Sequence, residues 1–232
     1  MSTVNVSSLL IALSIISFSC LQLSAQEIID LPFRSAPTID GNFTSEEWAD
    51  ATSIAIEVAG STGSVVFLKH DGANLYLAFT GTFGSSFLFP EINIDRENSK
   101  GTTWSESDWW FHISGTDCES KGKPNDYSDC APDQEEWFGI PNFSQSQVPE
   151  VIEVLIPFTK LGVGSTLPDT LGMALDLTNT VNAWYYWPVG GKAENPSTWG
   201  TVILLPEKSS SVIDGVVKKS KEMNLTLQDL KN

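Results

Sequence analysis

The chain has 232 residues, 41% of them hydrophobic and 18% charged, a globular composition that argues against both a disordered and a membrane-embedded protein. Asp and Glu number 29 against 13 Lys and Arg, and the resulting formal charge of -16 repels phosphate backbones and anionic lipid. Nucleic acid and membrane surfaces are therefore poor partners, whereas neutral polyhydroxyl ligands or cations such as calcium suit the charge.

The first element is an uncharged, mostly apolar run from Leu9 to Cys20, too short to span a bilayer and followed by the small residues Ser24 and Ala25. It predicts a secretory signal over 1–25, cleaved after Ala25, although its n-region lacks Lys and Arg. Lipoprotein cleavage before Cys20 fits poorly, because Ser17-Phe18-Ser19 is not the usual preceding sequence. A body over 26–206 and a tail over 207–232 follow. Ser45 to Ala51 is the one helical pattern in the body, with Thr44 or Ser45 as cap and Glu46 and Glu47 in the first turn. Ser64–Lys69 and Leu75–Phe79 flank the turn residues Asp71 to Asn74 and predict a hairpin. Strands are expected at Phe87–Asp95, where Pro90 argues for an edge or a bulge, and at Asp108–Ser114. Val151–Pro157 is the next strand, with a helical turn at Phe158–Leu161, and Met173–Thr178, Ala183–Trp187 and Thr201–Leu205 complete an all-β sandwich. In the tail, Ser209 to Ser211 reads as a linker, and Ile213, Val216 and Val217 form the apolar stripe of a short C-terminal helix.

Once the signal and Cys20 are removed, Cys118 and Cys130 are left as an even pair in an oxidising compartment, which predicts a disulfide. Closing a loop of about a dozen residues would stabilise by roughly 3 kcal/mol in the chain-entropy model. A metal pair there has neither a third Cys nor a His in the loop. Asn42, Asn142 and Asn224 begin glycosylation sequons.

Five segments, in order, resemble the family 9-like carbohydrate-binding modules. They are Ala36-Pro37-Thr38-Ile39-Asp40-Gly41 with Glu46-Glu47-Trp48; Asn74 to Phe79; Ile92-Asn93-Ile94-Asp95 leading to Gly101; Glu153 to Phe158 with Leu161-Gly162; and Asn195-Pro196-Ser197-Thr198-Trp199-Gly200. The resemblance covers about residues 36 to 205 and implies an immunoglobulin-like or jelly-roll-like antiparallel β-sandwich that holds sugar, with calcium fixing its loops. It also implies a non-catalytic module, an accessory to a glycoside hydrolase; with the signal over 1–25 the expectation is a secreted monomer, and Asn195 of the last segment is expected among its sugar contacts. The family clamps sugar between two tryptophans, but Phe83–Phe89 and Pro188–Glu194, where they would fall, contain none.

Stacking on a pyranose needs flat aromatic faces near loops or strand ends. Trp104 lies in a polar loop. Trp109 and Trp110 alternate on one strand, so one is core and the other outward. Trp137 follows an acidic stretch, and Trp187 ends the Ala183–Trp187 strand. Trp104, Trp110, Trp137, Trp187 and Asn195 are the expected sugar contacts. Trp48 and Trp199 are expected in the core. Asp95, Glu97 and Asn98 supply oxygens at a strand end and are the expected calcium ligands. No nucleophile motif, metalloprotease motif or phosphate loop accompanies His70 and His112, so an enzyme is not expected. A pair of glycosidase carboxylates among 29 acids is the residual route to catalysis. The missing clamp favours a second binding class, a protein-interaction sandwich without a small ligand. A third is a haem-b domain using Met173 with His70 or His112.

Overall fold

A computed structural model describes residues 26–58, 61–81, 89–113, 118–122, 126–129, 137–142, 150–178 and 183–207. The predicted signal, Cys130 and the predicted tail helix lie outside the described residues. Among the described residues thirteen strands form two sheets. The large sheet contains β1 (Ile28–Leu31), β5 (Phe89–Asp95), β6 (Asp108–Ile113), β7 (Cys118–Gly122), β8 (Asp126–Asp129), β11 (Asp169–Thr178), β12 (Trp184–Trp187) and β13 (Gly200–Leu204). The small sheet contains β2 (Thr52–Val58), β3 (Ser61–His70), β4 (Asn74–Gly81), β9 (Phe138–Asn142) and β10 (Glu150–Pro157). The large sheet runs β1-β13-β11-β5-β6-β7-β8 with β12 also on β11, and the small sheet runs β2-β3-β4-β10-β9. All neighbouring strands are antiparallel except β1 and β13, so the expected antiparallel β-sandwich is the observed architecture.

Period-two alternation builds the core. Ile92, Ile94, Phe111, Leu171, Met173, Leu175 and Leu177 of the large sheet meet Ile56, Val66, Leu68, Leu75, Leu77, Phe79, Ile152, Val154 and Ile156 of the small one. Each such side chain contributes about 1.5–3 kcal/mol on burial. Trp109 packs against this core while Trp110 points outward, as the alternation requires. The β3–β4 hairpin turns on Asp71, whose Oδ1 accepts from the backbone N–H of Ala73 at 2.9 Å and Asn74 at 2.8 Å, while Gly72 takes the left-handed φ of +83°.

β5 is a central strand, between β11 and β6, rather than the edge its proline suggested. The reason is register: Pro90 pairs with Leu177 of β11, but pairing with β6 begins only at Glu91 opposite His112. Pro90 lacks an N–H where no β6 partner asks for one. The predicted helix over 45–51 is a single turn, α1 (Ser45–Trp48), capped by Thr44; the chain bends at Ala49 to enter β2. α2 (Phe158–Leu161) matches the predicted helical turn and stops at Gly162 in the left-handed region.

The outer face of the small sheet is sealed by the opening segment. Glu153 of β10 is fully buried and accepts from the N–H groups of Asp40 (3.1 Å) and Gly41 (2.9 Å) and from the Trp48 indole (3.0 Å). Phe43 stacks on Trp48 at 6.3 Å. Lys69 is buried beneath α1, where its Nζ donates to Glu47 O and pairs with Asp50 at 2.8 Å. Thus the "P-x-I-D-G … E-W" pattern and the later Glu153 are two halves of one clasp. Among the described residues no helix is long and apolar enough to cross a membrane.

Candidate functional site

On the outer face of the large sheet, cross-strand pairing lays side chains in rows. One row runs Tyr186–Asp176–Glu91–His112–Glu119 across β12, β11, β5, β6 and β7. The next runs Ala174–Asn93–Trp110–Lys121. Beside them the loop before β6 brings Trp104, and the turn after β12 brings Ala193 and Glu194. Asn93, Trp104, Trp110, Lys121, Ala193 and Glu194 line a cavity of about 460 Å³.

Its walls are held firmly. The Trp104 indole donates to Ala193 O at 2.8 Å, and the Trp199 indole donates to the adjacent Lys192 O at 2.8 Å. The two indoles meet edge to face at 5.9 Å. Ser197 N donates to Gly101 O at 2.7 Å, and Lys100 Nζ donates to the carbonyls of Trp199 and Gly200 at 3.0 and 2.9 Å. Burial brings the Lys100 ammonium down to about 8 despite the nearby Asp95 charge. Trp110 stacks on His112 at 5.2 Å, and His112 in turn pairs with Glu91 at 3.1 Å.

Beneath the cavity Asp176 is fully buried and accepts from Asn93 Nδ2 at 3.0 Å and Thr178 Oγ1 at 3.0 Å. Burial, then the charge of Glu91, pushes its carboxyl well up. Burial and the Asp176 charge also raise the Tyr186 phenol to about 12. Asn93 has 0% exposure, and its Oδ1 has no hydrogen-bond partner among the described residues.

The structure brings together Trp104 and Trp110 of the predicted contacts. It does not do so for the other three. Trp137 is 1% exposed and packs edge-on against Phe111 at 5.0 Å, so it is core and offers no face to a ligand. Trp187 is 4% exposed and turned inward, its indole donating to Glu27. Asn195 caps the 3-10 turn Pro196–Thr198, its Oδ1 accepting from Ser197 N and Oγ. The cavity takes the two residues before Asn195 instead. Trp48 and Trp199 are core, as expected. Asn93, Lys121 and Glu194 escaped the sequence reading; the only signal for Asn93 was a polar residue between Ile92 and Ile94.

Asp95 and Asn98 converge over Gly172 of β11: a Cβ there would lie 2.9 Å from Asp95 Cβ and 3.3 Å from Asn98 Oδ1. Asp95 Oδ2 accepts from Ser99 Oγ and Lys100 N, while its buried Oδ1 has no partner among the described residues. Asp108 stands opposite Asp95 in register, and its buried Oδ1 is likewise unpartnered. Burial raises the Asp108 carboxyl, with Asp95 and Glu97 adding to the effect. Glu97 is exposed and lines a different cavity of about 560 Å³, with Trp109 and Lys160. Among the described residues no three His, Cys, Asp or Glu side chains gather as a metal cluster. Cys118 opens β7, and its predicted partner Cys130 lies outside the described residues. Of the residues considered for haem, Met173 faces the core while His112 lies on the opposite face of the sheet, and buried His70 is bonded to Leu31 O at 2.9 Å.

No family model matches the chain, and no curated protein matches it by sequence. Solved structures do match. A family 9 carbohydrate-binding module from Caldicellulosiruptor kristjanssonii, in complex with glucose, superposes with a TM-score of 0.57 at 14% identity, over 79% of this chain and 98% of that one. The fold is that of a family 9 carbohydrate-binding module. The same source gives a module in complex with cellotriose, at a TM-score of 0.57, 13% identity and coverage of 79% and 96%. A Bacteroides uniformis protein provisionally described as carbohydrate-binding follows at 0.50 and 9%, over 78% of this chain and 100% of that one.

Proposed function

We propose that this chain is a secreted, monomeric, non-catalytic module that holds a glycan by stacking it on Trp104 and Trp110. The observation that carries the reading is the cavity itself: two half-buried indoles, both fixed by other contacts, flank polar side chains of Asn93, Lys121 and Glu194. A pyranose presents apolar C–H patches to flat rings and hydroxyls to polar groups, and this composition answers both. That solved modules of the same fold hold glucose and cellotriose supports the choice of ligand class.

Calcium is the proposed ion of the loop after β5. Two buried carboxylates with one unpartnered oxygen each, Asp95 and Asp108, with Asn98 beside Asp95, suit a hard cation that takes oxygen ligands. Glu97, exposed on the rim of the other cavity, is not among its proposed ligands. The Cys118–Cys130 disulfide and export belong to the same reading. The test is retention on insoluble cellulose, xylan, mannan and chitin, with calcium and with chelator. Retention that is lost on Trp104→Ala with the fold intact supports the assignment. A folded wild-type chain retained on none of them overturns it and leaves a protein-interaction sandwich.

A further inference from the structure

Asn93 is the one residue lining the Trp104–Trp110 cavity that is wholly buried and also keeps an unpartnered polar atom. Its amide is not free to choose which end faces the cavity. Nδ2 donates to Asp176 Oδ2 at 3.0 Å, and Asp176 is itself pinned by Thr178 Oγ1 on its other oxygen and stands opposite Glu91 in register. Glu91 is tied to His112 at 3.1 Å, and His112 supports the Trp110 ring. Flipping the amide would set Oδ1 against the Asp176 oxygen that accepts from Nδ2, so this pairing leaves Oδ1 as the free end. Asn93 stands directly opposite Trp110 in register, with the small Ala174 on its other side. A buried acceptor left without a donor is costly in the free protein, and a ligand that supplies the donor relieves it.

We propose that Asn93 Oδ1 is the acceptor that reads a free hydroxyl of the glycan stacked beside Trp104 and Trp110, with Asp176 as the residue that positions it. The proposal rests on the glycan reading above and narrows it: the ligand carries an unsubstituted hydroxyl at the cavity floor, and a glycan with that hydroxyl capped is rejected. Sites built to bond a hydroxyl discriminate strongly against analogues that lack it, because their own polar group is then left bare.

The experiment titrates the full chain with cellotriose, xylotriose, mannotriose and N,N′,N″-triacetylchitotriose, and then with the per-O-methylated form of the tightest binder. The wild type is expected to bind the free sugar at least about tenfold tighter than the methylated one, the loss of one good hydrogen bond. Asn93→Ala is expected to lose about the same factor toward the free sugar and to bind both sugars alike, read well below its melting temperature because the variant also removes the Nδ2 donor from buried Asp176; a purely structural asparagine would leave the discrimination between the two sugars unchanged. Asp176→Asn keeps an acceptor for Asn93 Nδ2 and retains affinity; Asp176→Leu does not. If the wild type binds free and methylated sugars equally, or Asn93→Ala binds like wild type while Trp104→Ala does not, the role of Asn93 is wrong and the cavity stands. If the wild type binds none of the four trisaccharides, both readings fall. If Asn93→Ala misfolds, the mono-O-methylated isomers of the tightest binder are titrated on the wild type: one isomer losing about tenfold supports the proposal, and all isomers binding like the free sugar overturns it.

Discussion

The two outer faces of the sandwich are made of the same materials and finished differently. On the small sheet, Trp48, the carboxylate of Glu153 and the ammonium of Lys69 are covered by residues 36–51, and each polar group has its partners within the protein. On the large sheet, Trp104, Trp110 and the Asp176–Glu91 pair are held as firmly, yet the indoles stay half exposed and Asn93 keeps one atom unpaired. An indole beside a buried carboxyl is therefore no sign of a site on its own. What separates fastening from recognition is whether the polar inventory closes.

That contrast can be broken from the closed side first. Glu153→Ala strands two buried donors, Gly41 N–H and the Trp48 indole, at about 1–3 kcal/mol each, and a part-buried one on Asp40, so a loss of at least about 2 kcal/mol is expected in urea unfolding, with glycan retention unchanged below the transition. Trp48→Ala is expected to cost about 3–5 kcal/mol by the same measurement, again without a binding defect. The open side should respond in reverse: Trp104→Ala or Trp110→Ala is expected to weaken glycan binding about tenfold, each with a smaller stability loss than Trp48→Ala, because stacking on a half-exposed ring is worth about 0.5–1.5 kcal/mol beyond area. Acidity offers a third handle. The Asp176 carboxyl is raised in the folded state, so the folded chain holds a proton that the unfolded chain releases near pH 4, and stability falls as pH rises above that value through the folded pKa. Glu153, also raised by burial, contributes in the same direction, so Asp176→Asn should flatten only part of the decline in melting temperature. The smallest effect belongs to Thr44→Ala, which removes the α1 cap and should cost about 0.5–1 kcal/mol in thermal unfolding.

The strands were legible because alternation is a local signal: Ile92-Asn93-Ile94-Asp95 and Asp108-Trp109-Trp110 each declare which side faces in. The family-like segments were legible too, and the clasp of Glu153 on Asp40, Gly41 and Trp48 gives two of them a physical reason to occur together. The tryptophans of the site were half legible. Trp137 and Trp187 sit next to polar or loop-like sequence, and only the packing of Phe111 and the approach of Glu27 show that they are sealed. Asn93 was hidden for a deeper reason. An outward residue on an amphipathic strand reads as solvent-facing, and its burial depends on Trp104 and Glu194, which arrive from positions 11 and 101 residues further along the chain.

The turn after β12 is fastened through its main chain. Two indoles grip the successive carbonyls of Lys192 and Ala193, while Lys192 and Glu194 themselves stay exposed. A wall hung by its backbone can change its side chains without losing its shape. Residue 194, which lines the cavity, can thus be exchanged to change the cavity's rim, while the platform beneath stays as it is.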